Sequence, residues 1–227
     1  MGRFGTDGIR GVAGKGYLDP HEVGLLGYET ARRFRDRAQD RFAVIGRDTR
    51  LSGPDIEAQI SEGLRQGGLA TFRVGVIPTP GIAYLTRKLS APLGVIISAS
   101  HNPPEDNGIK FVGPDGTKIP DSDETAIESV LDGPAPMRPM TKAADIRKMS
   151  DPLGEYVRWA VSTCPMPLRG LKIVVDCGFG ASVVTAESIL KDLGAEVSWL
   201  NAEPDGSRIN VRCGATHPSV VASEVVR

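Results

Sequence analysis

The 227 residues contain only three cysteines, Cys164, Cys177 and Cys213. They are odd in number, widely spaced and without a C-x-x-C pair, which argues against a disulfide framework and against a zinc site. A reducing cytoplasm is the compartment expected. Charge of one sign is lacking too: the formal net charge is -1, so the chain carries no electrostatic footprint for nucleic acid. Long hydrophobic runs are absent. Runs such as Leu93 to Ile97, or Leu171 to Val175 with Lys172 inside it, are typical, far short of the roughly 20 residues that cross a bilayer. The opening MGRFGTDGIRG has no apolar signal-peptide core, and Met1-Gly2 followed by Thr6 meets only the loose myristoylation pattern. What remains, 40% hydrophobic and 24% charged residues, is ordinary globular composition with length enough for two units.

Short β-branched runs alternate with helical periods, the pattern of an α/β fold with mixed, mostly parallel sheets flanked by helices. Asp19-Pro20-His21-Glu22 reads as a capping box with proline at the first helical position, and Val23, Leu26, Ala31 and Phe34 share the buried face that follows. Phe42 to Ile45 predicts a buried strand, the polar loop Arg47-Asp48-Thr49-Arg50 follows, and a helix begins near Pro54. Phe72 to Ile77 is strand-like, Pro78-Thr79-Pro80 breaks it, Ile82 to Leu89 is helical, and Leu93 to Ile97 is another apolar strand. Gly108 to Val112 and Thr117 to Ile119 predict an antiparallel hairpin, and Asp121 to Leu131 a closing helix. Proline-rich residues 133–150 read as a linker. Residues 1–132 are thus expected to form one α/β domain and 151–227 part of a second, with a helix from Asp151-Pro152, strands at Leu171 to Asp176 and Ala195 to Leu200, a helix between them, and a last helix from Pro218. One strand-helix-strand leaves too few partners to cover a sheet on both faces, so the chain is expected to stop inside that domain.

Ser100 stands at the carboxyl end of a buried strand, where open α/β sheets present ligand-binding groups. A serine hydrolase would need a base and an orienting residue, commonly on a G-x-S-x-G elbow that this chain lacks. Phosphoryl transfer asks instead for a carrier oxygen, cations for phosphate oxygens and a proton shuttle. His101, Asn102, Lys110 and the distant Arg10 supply donors or positive charge suited to that task, although each taken singly reads more readily as a turn, strand or surface residue. Gly178-Phe179-Gly180 begins a G-x-G-x-x-G pattern, but Val183 occupies the third glycine position, so a tight turn is expected rather than a nucleotide site.

Ser98-Ala99-Ser100-His101-Asn102-Pro103 followed by Asp106-Asn107-Gly108-Ile109-Lys110-Phe111 resembles the signature of the phosphohexomutase family. Phe4 to Gly11 resembles that family's opening, and Gly46-Arg47-Asp48-Thr49-Arg50 with Ser52-Gly53 another of its segments. Pro204-Asp205-Gly206, Ile209-Asn210 and Cys213 to Pro218 look most like the branch acting on glucosamine phosphate, with relatives acting on mannose or glucose phosphates as the alternative. Departures are Asp176-Cys177-Gly178, without the branch's asparagine before glycine, Arg208 in place of asparagine, and Pro104-Glu105 in place of aromatics.

The resemblance implies domain 1 of that family plus an incomplete domain 2, and an isomerase acting on a hexose phosphate. It makes Ser100 a phosphoserine that donates to the sugar and recovers the other phosphoryl group from a bisphosphate intermediate. It gives His101 and Lys110 roles in proton transfer or phosphate binding, and Arg10 a place facing phosphate. It also implies Mg²⁺ held by the phosphate on Ser100 and by three aspartates of a D-G-D-x-D-R loop that this sequence does not contain. These residues alone are accordingly expected to lack multiple turnover, and a non-catalytic phosphosugar-binding role describes them in isolation.

Overall fold

The computed structural model describes residues 2–5, 8–37, 41–133 and 149–226. Most of the expected linker, residues 134–148, lies outside the described residues.

Five strands form the first sheet: β1 (Ile9–Val12), β2 (Phe42–Arg47), β3 (Ala70–Val76), β4 (Leu93–Ile97) and β5 (Asp106–Val112), in the order β1-β5-β4-β2-β3. β2 pairs in parallel with both β3 and β4, while β5 runs antiparallel to β4 and to β1. Helices α1 (Pro20–Phe34), α2 (Gly53–Gln66), α3 (Thr79–Lys88) and α4 (Asp121–Leu131) cover it. Ala43 and Ile45 of β2 point into a core shared with α1, α2 and α4, whereas Phe42 and Val44 point into a second core shared with α3. That alternation is the two-residue period of a strand buried on both faces.

Local sequence explains the helix ends. Asp19 Oδ1 caps α1 by accepting from the His21 amide at 2.9 Å, as expected. The Glu22 carboxylate of the expected capping box pairs with Arg3. α3 starts earlier than expected, at Thr79, because Pro80 fits the first turn, where its missing N–H costs nothing. The expected hairpin is present in short form: Thr117 to Ile119 returns antiparallel to the end of β5 through the bridge Val112 to Lys118, with the Gly113 amide donating to the Thr117 carbonyl at 2.8 Å and the Ile119 amide to the Phe111 carbonyl at 3.3 Å. The earlier part of β5 is sandwiched between β4 and the four-residue β1, a strand that no apolar period announced.

The second unit has β6 (Lys172–Asp176) and β7 (Glu196–Leu200), paired in parallel, with α6 (Ala186–Asp192) between them and α7 (Pro218–Val225) after them. α5 (Pro152–Ser162), expected to belong to this unit, also packs on the first: Trp159 stacks on Tyr84 of α3 at 4.5 Å, and Tyr156 is buried in the α3-side core.

Candidate active site

The chain leaves β2 for α2 on one face of the sheet to reach β3, then passes through α3 on the other face to reach β4, which lies on β2's opposite side. Consecutive crossovers in opposite directions leave a crevice outside the carboxyl ends of β2 and β4, the usual ligand position in such sheets. Two loops fill it: Asp48 to Ser52 after β2, and Ser98 to Glu105 after β4.

Arg50 organises both loops. Its side chain is fully buried, and its five N–H groups are all used. Nε donates to Asp48 Oδ2 at 3.0 Å, Nη1 to the carbonyls of Pro103 and, at 2.9 Å, Asp106, and Nη2 to those of Ser100 at 3.0 Å and Asn102 at 2.9 Å. Asp48 in turn accepts from the Arg50 amide at 3.0 Å and from Ser98 Oγ at 2.7 Å. Ser98 Oγ accepts from the Ser100 amide at 3.0 Å. The Ser98 hydroxyl is therefore engaged as donor and acceptor, while Ser100 is exposed at the loop tip.

Ser100 has φ +56°, a left-handed conformation uncommon for a residue with a Cβ. Such conformations persist where the surroundings over-determine them, and they concentrate at functional sites. Here hydrogen bonds fix both peptide planes flanking Ser100.

The other expected site residues divide into two groups. Arg10 Nη1 donates to Asn102 Oδ1 at 3.2 Å, and Asn102 Nδ2 donates to Asp106 Oδ2 at 2.9 Å, so these two meet beside the serine loop. His101 is exposed next to Ser100. Lys110 sits within β5, opposite Ile96 and two residues beyond Gly108, which is itself opposite Arg10. By the strand period Lys110 and Arg10 lie on the same sheet face.

Neither Arg50 nor Asn210 was singled out from sequence. The signal for Arg50 was a dense polar segment directly after a fully apolar strand, and for Asn210 its place in a motif far from the serine. Asn210 Nδ2 donates to the carbonyls of Ser100 at 2.8 Å and Asn102 at 3.0 Å. The units also meet where Thr49 Oγ1 donates to the Phe179 carbonyl at 2.6 Å. Gly206 lies against the Thr49 backbone; a Cβ there would overlap the Thr49 carbonyl and come within 2.9 Å of Arg50 Cα. The glycine therefore permits a close approach that other residues would prevent. Gly178 and Phe179, at φ +54° and +55°, form the tight turn expected of them.

Among the described residues no group of three or more His, Cys, Asp and Glu side chains is placed to hold a metal ion. The nearest carboxylates in the network, Asp48 and Asp106, are bonded to Arg50 and Ser98, and to Asn102. These residues do not by themselves fit Mg²⁺. Also among the described residues, no helix is long and apolar enough to cross a membrane.

The family model for phosphoglucomutase/phosphomannomutase, alpha/beta/alpha domain I, matches residues 1–135. The phosphoglucosamine mutase of Desulforamulus reducens is 46% identical over 228 residues, covering 99% of this chain and 51% of that protein. The one from Desulforudis audaxviator is 47% identical over 225 residues, covering 98% and 50%. Among solved structures, a phosphoglucomutase/phosphomannomutase family protein of Burkholderia thailandensis superposes with a TM-score of 0.71 at 29% identity, covering 88% of this chain and 43% of the other. Parafusin, a phosphoglucomutase of Paramecium, has a TM-score of 0.62 over 90% of this chain and 44% of its own; at 17% identity it shows the fold alone. The chain spans about half the length of the curated relatives it matches. With the sheet order, the exposed serine at its switch point and a domain model covering more than half of the residues, the chain belongs to the phosphoglucomutase/phosphomannomutase family.

Proposed function

We propose that Ser100 carries a phosphoryl group and that the whole protein interconverts glucosamine 6-phosphate and glucosamine 1-phosphate through a hexose bisphosphate. The observation that carries this reading is the exposed Ser100 in a left-handed conformation, both flanking peptide planes fixed, beside a Ser98 whose hydroxyl is already engaged. The choice of sugar is supported by relatives named phosphoglucosamine mutases at 46% and 47% identity.

In the forward step the P–Oγ bond of phosphorylated Ser100 breaks as a P–O bond forms to the free sugar hydroxyl. The hydroxyl proton leaves to a base, and Ser100 Oγ regains a proton. After the bisphosphate reorients, its other phosphoryl group returns to Ser100 by the reverse exchange. His101, exposed beside Ser100, is assigned to proton transfer, Lys110 to proton transfer or phosphate binding, and Arg10 with Asn102 to phosphate oxygens. Such cations offset the roughly -1.5 to -2 charge of a phosphoserine at neutral pH.

Residues 1–132 form the serine-bearing domain in this reading, 133–150 link it, and 151–227 belong to a second. The family is generally Mg²⁺-dependent, and Ser100 through its phosphate is this chain's proposed contribution to that ion. A cytoplasmic location completes the proposal.

The test is turnover of glucosamine 6-phosphate by the full-length protein, with mannose and glucose phosphates as competitors. Ser100→Ala is expected to lower turnover about a thousandfold or more. Turnover within tenfold of the unsubstituted protein would reject Ser100 as carrier, and preference for another sugar would reject the substrate.

A further inference from the structure

The carbonyl oxygens of Ser100 and Asn102 each accept two hydrogen bonds, one from buried Arg50 of the first unit and one from Asn210 of the second. The Ser100 carbonyl belongs to the peptide plane that follows the reactive residue, and Ser98 Oγ holds the plane that precedes it. Asn210 thus reaches across the units to one of the two planes that define the Ser100 backbone.

Its own placement is built with care. Asn210 has φ +61°, a conformation asparagine tolerates better than most residues. Its amide donates to the Gly178 carbonyl at 3.0 Å. The turn below is tied by Asp176, which accepts from the amides of Gly178 at 2.9 Å and Gly214 at 2.8 Å and from Asn201 Nδ2 at 2.9 Å. The donor aimed at the serine loop stands on a rigid base.

We propose that Asn210 is a positioning residue for phosphoryl transfer at Ser100, coupling the orientation of the serine to the contact between the two units. The inference rests on Ser100 being the phosphoryl carrier. Arg50 alone would satisfy one lone pair of each carbonyl; Asn210 adds the second, and it comes from the second unit. Moving the second unit away would then leave the left-handed Ser100 with one fewer restraint.

The experiment uses two substitutions in the full-length enzyme. Asn210→Asp keeps size and tolerance of positive φ, but places an oxygen where Nδ2 faced two carbonyl oxygens. Asn210→Gly removes the side chain and keeps the backbone conformation. Each variant is mixed with saturating and subsaturating hexose 1,6-bisphosphate, and phosphate on Ser100 is followed by quenched intact-mass measurement. The expected result is a maximal phosphorylation rate lowered roughly tenfold in Asn210→Gly and further in Asn210→Asp, with half-saturating bisphosphate changed less than about twofold. A space-filling role would give the opposite order, with the isosteric aspartate close to the unsubstituted protein.

A maximal rate in Asn210→Asp within about twofold of normal, or an effect confined to half-saturation, would overturn the inference. The glycine variant keeps the test decisive if the aspartate variant separates the units or fails to fold. Ser100→Ala runs in parallel. If it still acquires phosphate, the carrier assignment falls and takes this inference with it. If it stays unmodified while the Asn210 variants react normally, only the positioning role is lost.

Discussion

Replacing Arg50 by lysine keeps the positive charge and removes the fork. A guanidinium presents five donors in a plane, an ammonium three on one nitrogen. Arg50 serves one carboxylate oxygen and four carbonyls with no exposed surface, so lysine must abandon at least two acceptors. Their fates differ. The carbonyls of Ser100 and Asn102 keep Asn210 Nδ2, and that of Pro103 keeps the Asp106 amide at 3.2 Å. The two bonds given up are therefore drawn from these three carbonyls, whose second partners keep each loss at the low end of its range. A lost hydrogen bond to a charged group is worth about 1.5–3 kcal/mol, so Arg50→Lys is expected to destabilise the first unit by about 3 kcal/mol. With a urea m-value of about 2 kcal/mol/M the midpoint should fall by roughly 1.5 M. Urea unfolding followed by circular dichroism measures it. A shift below about 0.3 M would show that the five bonds do not hold the loop and that the central role given to Arg50 is wrong.

Two further outcomes follow from the packing and from charge. Gly206→Ala should wedge the second unit off Thr49 and raise the alkylation rate of Cys177 and Cys213 several-fold, because both thiols are buried and burial pushes their pKa up; unchanged labelling would mean the glycine is not a close-approach site. Asp123 is held below the ordinary aspartate range mainly by its hydrogen bond from Arg37, then by Arg33, against the opposing effect of burial. Its stabilisation is complete above the unfolded pKa of about 3.9 and is lost as pH falls through the lower folded value. Asp123→Asn should therefore cost about 1–2 kcal/mol near neutral pH, discounted for the partly exposed arginines, and the difference should narrow toward pH 3. Urea midpoints at both pH values check this, and a pH-independent difference would contradict it.

Elements that bury a continuous apolar pattern could be read from sequence almost to the residue. β4 at Leu93–Ile97 and α4 at Asp121–Leu131 have the bounds their periodicity predicts. Where partners rather than propensity decide, sequence was silent. β1 contains Arg10 and Gly11 and exists because β5 offers it a backbone edge. Thr117 to Ile119 has strand composition and does return along the end of β5, but β1 already pairs Asp106 to Ile109, so the hairpin stays short. Trp159 ties α5 back to α3 through a contact between residues 75 positions apart, which no local period reveals. The site divides in the same way. Ser100, His101 and Asn102 are contiguous and announce themselves, and Arg10 joins them through a strand pairing. The supports are long-range: Arg50 reaches four carbonyls 50 to 56 residues away, and Asn210 acts across more than 100.

The choice between the two serines of Ser98-Ala99-Ser100 tests the account most directly. Incubating the full-length protein with a hexose 1,6-bisphosphate and mapping the phosphorylated peptide should place phosphate on Ser100, whose side chain is exposed in a fixed left-handed turn, and leave Ser98, bonded to Asp48 and to the Ser100 amide, unmodified. Stable phosphate on Ser98 with Ser100 unmodified would contradict it.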